Sequence, residues 1–187
     1  MCRENKKGGI IKEVYALFRH TGIVRRVDDV GRIVIPKEVR RRFRINEGEP
    51  IEIGEDGDFI ALRKYSVIEL GGETIQKILQ SYVKITSKPV ILCSTTHVLN
   101  SFGISIKVPE FLESELYDAL QLTDKKYSGY EITADSKLYV AALEKICVGE
   151  NFEGVLIIPE TSATGTITET DKSCLKLCSE AIAEILY

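Results

Sequence analysis

The chain has 187 residues, 44% hydrophobic and 28% charged, which suits one medium or two small packed domains and excludes wholesale disorder. The apolar runs are too short for a membrane span and no charged-then-apolar signal peptide opens the chain, so the expectation is a cytoplasmic protein with no membrane partner. The net charge is −3, but residues 25–44 carry eight basic side chains against three acidic ones, a net of +5, while residues 65–187 carry ten against seventeen, a net of −7. A basic segment in an acidic protein points to an anionic partner at one end.

Residues 1–20 read as a polar N-terminal extension, with Ile10, Ile11, Val14 and Leu17 at helical spacing. Lys12-Glu13-Val14 can be encoded by a ribosome-binding sequence a few codons ahead of Leu17, and a TTG codon there would be read as an initiating Met. The expectation is that residues 1–16 are not part of the native protein. Intact mass of the protein from its own host checks this, and a mass that includes Met1 to Ala16 contradicts it.

Residues 21–65 read as compact β structure around a short helix. Gly22 to Val27 is a predicted strand, Asp28-Asp29-Val30-Gly31 a turn and Arg32 to Ile35 a second strand. Pro36 suits the first position of the helix that follows, Lys37 to Phe43, where its missing N–H costs nothing. Val39 and Phe43 share one face, which should pack inward, and Arg40, Arg41 and Arg42 fan around the rest. Ile51 and Ile53 alternate with Glu52 as a strand, and Asp56-Gly57 signals a hairpin into Phe59 to Lys64. A segment of this size is near the lower limit for folding alone, and it has no disulfide pattern or metal cluster to staple it. A dimer through residues 21–65 is the physical expectation.

From residue 66 the composition shifts. Glu73 to Ile85 carries the amphipathic pattern Ile75, Ile78, Leu79, Tyr82 and Val83. Pro89 to Cys93 is of the buried-strand type, with Val98 to Ile106 as its partner, and Glu110 to Leu122 looks helical. Lys137 to Leu143 and Gly154 to Ile158 are strands. Thr170 is the expected cap of a last helix striped with Cys174, Leu175, Cys178, Ala181, Ile182 and Ile185. Helices at both ends enclose a mostly antiparallel sheet, an α+β architecture.

The ungapped run Thr21-Gly22-Ile23-Val24-Arg25-Arg26-Val27-Asp28-Asp29-Val30-Gly31-Arg32-Ile33-Val34-Ile35-Pro36-Lys37-Glu38-Val39-Arg40-Arg41 closely resembles the signature of the AbrB family of bacterial transition-state regulators. The element order behind it resembles the family's two-domain members, in which a GAF-like domain follows the DNA-binding segment. The resemblance implies an N-terminal dimeric swapped-hairpin β-barrel over residues 21–65 and a GAF-like sensory or oligomerisation domain over residues 66–187. It also implies double-stranded DNA as partner, bound with loose sequence preference, and a nucleoid-associated transcriptional regulator of sporulation or transition-state genes. The family's DNA-contacting arginines fall on Arg25, Arg32, Arg40 and Arg41; Arg26, Lys37 and Arg42 are supporting basic positions. A guanidinium suits the task because it is always charged and offers a forked donor set to phosphate or a guanine edge. For the back domain there are two readings: a small-molecule effector bound over its sheet, which rests on fold analogy, or assembly of dimers into a tetramer through the striped terminal helices.

Other constellations carry less. The Asp28-Asp29-Val30-Gly31 segment has too few oxygen ligands for a cation and reads as a turn. Cys174 and Cys178, one helical turn apart, lack a nearby His or second Cys pair and read as small apolar residues, so no metal is expected. His97 reads as a loop or strand-end residue. The five cysteines are scattered and expected to stay thiols. No phosphate loop, dinucleotide fingerprint, zincin motif or nucleophile elbow is present, so neither enzyme activity nor a cofactor is expected. The alternative reading is an antitoxin-like protein whose barrel binds DNA and whose main partner is a toxin protein; the folded domain in place of an extended tail speaks against it.

Overall fold

A computed structural model describes residues 22–57, 59–106, 108, 110–122, 127–134, 136–162 and 164–187. The expectations for residues 1–20 lie outside them. The chain divides into two compact units, meeting in sequence between Tyr65 and Ser66.

In the first unit, the segment from Gly22 to Pro36 forms an arm that turns back at Asp28, exposed as far as Val34 and half-buried at Ile35 and Pro36. The strands predicted at Gly22–Val27 and Arg32–Ile35 are not formed as ladders within one chain. Strands exist by pairing, and among the described residues no ladder forms on this arm: Val24 and Val34 are 82% and 73% exposed, and Ile23, Val27 and Ile33 are also exposed. The helix α1, Lys37–Arg42, follows. Pro36 stands just ahead of it, at the cap and not at the first helical position, and its carbonyl accepts the Arg40 N–H at 2.9 Å. Arg44 ends α1 in a left-handed conformation, φ 53°. That lets the Ile45 N–H reach the Arg40 carbonyl at 2.8 Å and the Arg44 N–H the Arg41 carbonyl at 3.1 Å, satisfying two terminal acceptors. Phe43, expected inside, is the C-terminal cap residue and is 42% exposed, because the helix ends before a full inward face is built. A two-stranded antiparallel hairpin closes the unit, with β1 (Ile51–Asp56) paired to β2 (Phe59–Lys64) from Ile51 opposite Lys64 to Asp56 opposite Phe59.

The second unit is α+β. Its elements are α2 (Val67–Leu70), α3 (Gly72–Thr86), β3 (Val90–Ser94), β4 (His97–Phe102), β5 (Glu110–Phe111), α4 (Ser114–Leu120), β6 (Tyr139–Val148), β7 (Asn151–Glu160) and α5 (Glu169–Leu186). The sheet is antiparallel throughout, in the order β5-β4-β3-β7-β6. Period-two alternation sends Val90 and Leu92 of β3, with Leu156 and Ile158 of β7, to a face covered by Ile75 and Leu79 of α3 and by Leu175 and Ile182 of α5. The intervening Ile91, Cys93, Val155 and Ile157 face the other way, against Leu116 and Leu120 of α4 and Ile132. The sheet is therefore buried on both faces, which is why β3 and β7 read as continuous apolar runs.

Four readings of this unit differ from the sequence expectation. The strand expected at Val98–Ile106 is β4, which stops at Phe102 where Gly103 turns left-handed, φ 74°. Glu110–Leu122 is not one helix: its first two residues pair with β4 as β5, and the helix begins at Ser114. The predicted strands at Lys137–Leu143 and Gly154–Ile158 are the halves of a longer hairpin, in which β6 starts at Tyr139 because Lys137 is left-handed, φ 51°. The cap of α5 is Thr168, not Thr170: its side chain accepts the Asp171 N–H at 3.2 Å while the Asp171 carboxylate accepts the Thr168 N–H at 2.8 Å.

Candidate nucleic-acid interface

The basic residues of the first unit sit on two short pieces of chain. Arg25, Arg26 and Arg32 lie on the arm, and Lys37, Arg40, Arg41 and Arg42 on α1. Arg25, Arg26, Arg32, Lys37, Arg41 and Arg42 are exposed and Arg40 is half-buried. On α1 the sequence places three arginines in the last turn, where the carbonyl end of the helix favours positive charge, so holding them side by side costs the fold little.

The arm is shaped by one carboxylate. Asp28 Oδ1 accepts the backbone N–H of Arg32 at 2.7 Å and of Val30 at 3.1 Å. The Asp28 N–H donates to the Arg32 carbonyl at 3.0 Å, and the Gly31 N–H to the Asp28 carbonyl at 3.1 Å. Gly31 takes φ 82°, which a residue with a side chain resists. The second oxygen, Oδ2, accepts from Arg32 Nε at 2.7 Å. The Arg32 backbone N–H, and after it the Arg32 guanidinium, hold the Asp28 carboxyl below the usual carboxylate range. The segment thus acts as a turn, its carboxylate oxygens engaged by Val30 and Arg32.

The other arginines behave differently. Arg25 Nη1 donates to the neighbouring Val24 carbonyl at 2.9 Å. The Arg42 guanidinium lies 4.9 Å above the centre of the Phe43 ring, a cation–π contact that covers this exposed aromatic. Arg26, Lys37, Arg40 and Arg41 form no ion pair among the described residues. Sequence reasoning placed these side chains but missed the Asp28–Arg32 pair; the signal was an acid and a base four residues apart across a Gly-containing turn.

It also missed a polar cluster beneath α1. Lys64 Nζ donates to Glu49 Oε1 at 2.9 Å and to the Arg44 carbonyl at 3.1 Å. Glu49 also accepts from the Asn46 backbone N–H at 2.8 Å and its side-chain amide at 3.1 Å. Burial pushes the Glu49 carboxyl up, but the bonds from Lys64 and Asn46 outweigh it and hold the group below its ordinary value. Through Lys64, the end of α1 is fixed to the β1–β2 hairpin.

In the second unit α3 and α5 form a groove of about 440 Å³, floored by Ile78, Cys174, Cys178 and Ala181 and rimmed by Ile85 and Leu177. Ile85 and Leu177 are 78% and 66% exposed. The sequence stripe of α5 is split accordingly: Leu175 and Ile182 face the sheet, Cys174 and Cys178 are half-buried and Ile185 is exposed. Burial, and then the neighbouring Cys174, push the Cys178 thiol up, as burial does for Cys93. Cys93, Cys147, Cys174 and Cys178 are free thiols. Among the described residues no group of three or more His, Cys, Asp or Glu gathers to hold a metal, and no helix is long and apolar enough to cross a membrane. His97 opens β4 and stacks on Phe111 with ring centres 4.0 Å apart.

Comparison with known proteins places this geometry. A family profile described as antidote-toxin recognition MazE, bacterial antitoxin, matches residues 24–69, the stretch that holds the arm, α1 and the hairpin. The chain is 36% identical over 130 residues to stage V sporulation protein T of Bacillus subtilis (strain 168), covering 68% of this chain and 72% of that protein. It is also 51% identical over 48 residues to transition state regulatory protein AbrB of the same organism, covering 26% of this chain and 50% of that protein. With a relative matched over most of both chains, and a second matched closely over a domain-sized segment, the chain belongs to the AbrB family of transition-state regulators.

Proposed function

We propose that this protein is a non-catalytic transcriptional regulator that grips double-stranded DNA through a homodimer of residues 21–65, acting on sporulation or transition-state genes. The observation that carries the reading is the arm and α1, which expose Arg25, Arg32, Arg41 and part of Arg40 within the family-matched stretch. The apolar side chains left exposed on the same arm, Val24, Val27, Ile33 and Val34, support a swapped hairpin: a second chain's arm would give these residues both a ladder and a core. Two-fold pairing doubles the four arginines across one face, with Arg26, Lys37 and Arg42 in support. Contacts of this kind, mostly to phosphates, give the loose preference of backbone and shape readout and place the protein on the nucleoid.

The second unit, GAF-like in this reading, ties dimers into a tetramer. The groove between α3 and α5 supports a second copy as its occupant, because the surface it presents is mostly apolar, with Lys77, Ser81 and Thr86 among its lining, and its residues Ile85 and Leu177 stand in solvent in a single chain. A small-molecule effector of this unit remains a separate outcome, read by whether a metabolite mixture shifts its melting temperature.

A gel-shift of the full-length chain against AT-rich duplex, repeated across salt concentrations, tests the reading. Binding that weakens steeply with salt is expected; no binding at low salt contradicts it. The profile match at residues 24–69 keeps an antitoxin-like role as the second reading. Co-expression that yields a stoichiometric complex with a toxin protein, blocking its toxicity, would favour that role.

A further inference from the structure

Arg32 stands apart from Arg25, Arg40 and Arg41 because a carboxylate is already bound to it. A guanidinium has two forks, one side-on with Nε and one end-on with the two terminal nitrogens. Asp28 Oδ2 takes the Nε side at 2.7 Å, and the Arg32 side chain is otherwise 77% exposed, so the end-on fork is the one left to a ligand. The turn does not need this contact, since Asp28 Oδ1 already holds the Val30 and Arg32 backbone N–H groups. An exposed ion pair adds little to stability in water. It does fix the direction of a long side chain before a ligand arrives, which lowers the ordering cost of a directional contact. The pair is also neutral as a unit, and so a poor device for neutralising phosphate.

We propose that Asp28 and Arg32 form one base-reading unit, in which Asp28 is a positioning residue and Arg32 presents its end-on fork to two acceptors on a base edge. This rests on the DNA-binding reading above. Guanine O6 and N7 are the acceptor pair that matches such a fork. Arg40 and Arg41, without a carboxylate partner among the described residues, carry the phosphate contacts. The weak sequence preference of the protein then resides in the arm, and its affinity in α1.

The test uses the full-length chain and four proteins: wild type, Asp28→Asn, Arg32→Lys and Arg40→Ala. Each is titrated with salt on the duplex that wild type selects from a random pool, and on a scrambled duplex. Asp28→Asn keeps the Oδ1 acceptor of the turn, removes the hold on Nε and adds one positive charge per chain. It should bind the scrambled duplex more tightly, with a steeper salt slope, yet discriminate about tenfold less between the two duplexes. Arg32→Lys keeps the charge and loses the fork, so it should keep the salt slope and lose the same discrimination. A purely structural or purely electrostatic role for Asp28 predicts no change in discrimination. Unchanged discrimination in Asp28→Asn or Arg32→Lys overturns the proposal, as does a wild type that selects no base at any position. Arg40→Ala separates the two failures: a flattened salt slope there, with both arm variants discriminating as wild type, leaves DNA binding standing and removes only this unit. Should Asp28→Asn lose its dimer by light scattering, Arg32→Lys alone decides.

Discussion

Lys64 and Glu49 show how a few half-buried polar atoms hold a small unit together. The held-down Glu49 carboxyl contributes stability that is complete above its unfolded value, about 4.3, and is lost as the pH falls through the lower folded value. Glu49→Gln should therefore cost about 1 kcal/mol at pH 7 and lose less than wild type on acidification to pH 3.5, both read from thermal unfolding. Equal acid losses in the two proteins contradict this. At Gly154 the constraint is steric. An added Cβ would overlap the Cys93 carbonyl oxygen on the neighbouring strand and the Ile68 side chain. Gly154→Ala should destabilise the second unit by about 2 kcal/mol, seen as a lowered melting temperature; an unchanged melting temperature contradicts it. Neither site was legible in the sequence. Nothing marks Glu49 in the sequence until the hairpin returns Lys64 to it, and Gly154 reads as an ordinary strand residue until β3 and α2 close over it. The arginines were legible because they sit in a local, ordered motif that needs no tertiary contact to be read.

At the scale of elements, what the sequence shows depends on where each element finds its partner. The helices α3 and α5 were legible from their stripes, and β3 from its apolar run. The β6–β7 hairpin was under-read because its register shifts between Val140 and Ala142 and between Ile146 and Cys147, which breaks the alternation that marks a strand. The arm failed as a strand for a different reason: among the described residues it forms no ladder. The same logic applies to the groove, where the residues facing the sheet are covered and those facing outward are not. Leu177→Glu places a charge on the exposed rim, so folding should be intact while the assembly falls from tetramer to dimer by light scattering. A variant that stays tetrameric would show that the groove is not the interface.

Across the whole molecule, charge and assembly are divided between the units. A net of +5 between residues 25 and 44 is set against −7 beyond residue 64; in the proposed reading, duplex would be attracted to the first segment and repelled by the second. In the proposed reading, dimerisation would double the attraction without adding a new contact type, so that a short segment with few base-reading groups would suffice. The central claim of the proposed function is that Arg40 and Arg41 of α1 neutralise phosphates, and salt dependence measures it most directly. Fluorescence anisotropy of an AT-rich duplex, titrated with the full-length protein across salt concentrations, gives the slope of log affinity against log salt. Arg40→Ala and Arg41→Ala should each flatten that slope by about two units per dimer. Arg42→Ala, whose guanidinium rests on Phe43, should change it less. Folded dimers of Arg40→Ala and Arg41→Ala that keep the wild-type affinity and slope would contradict the account.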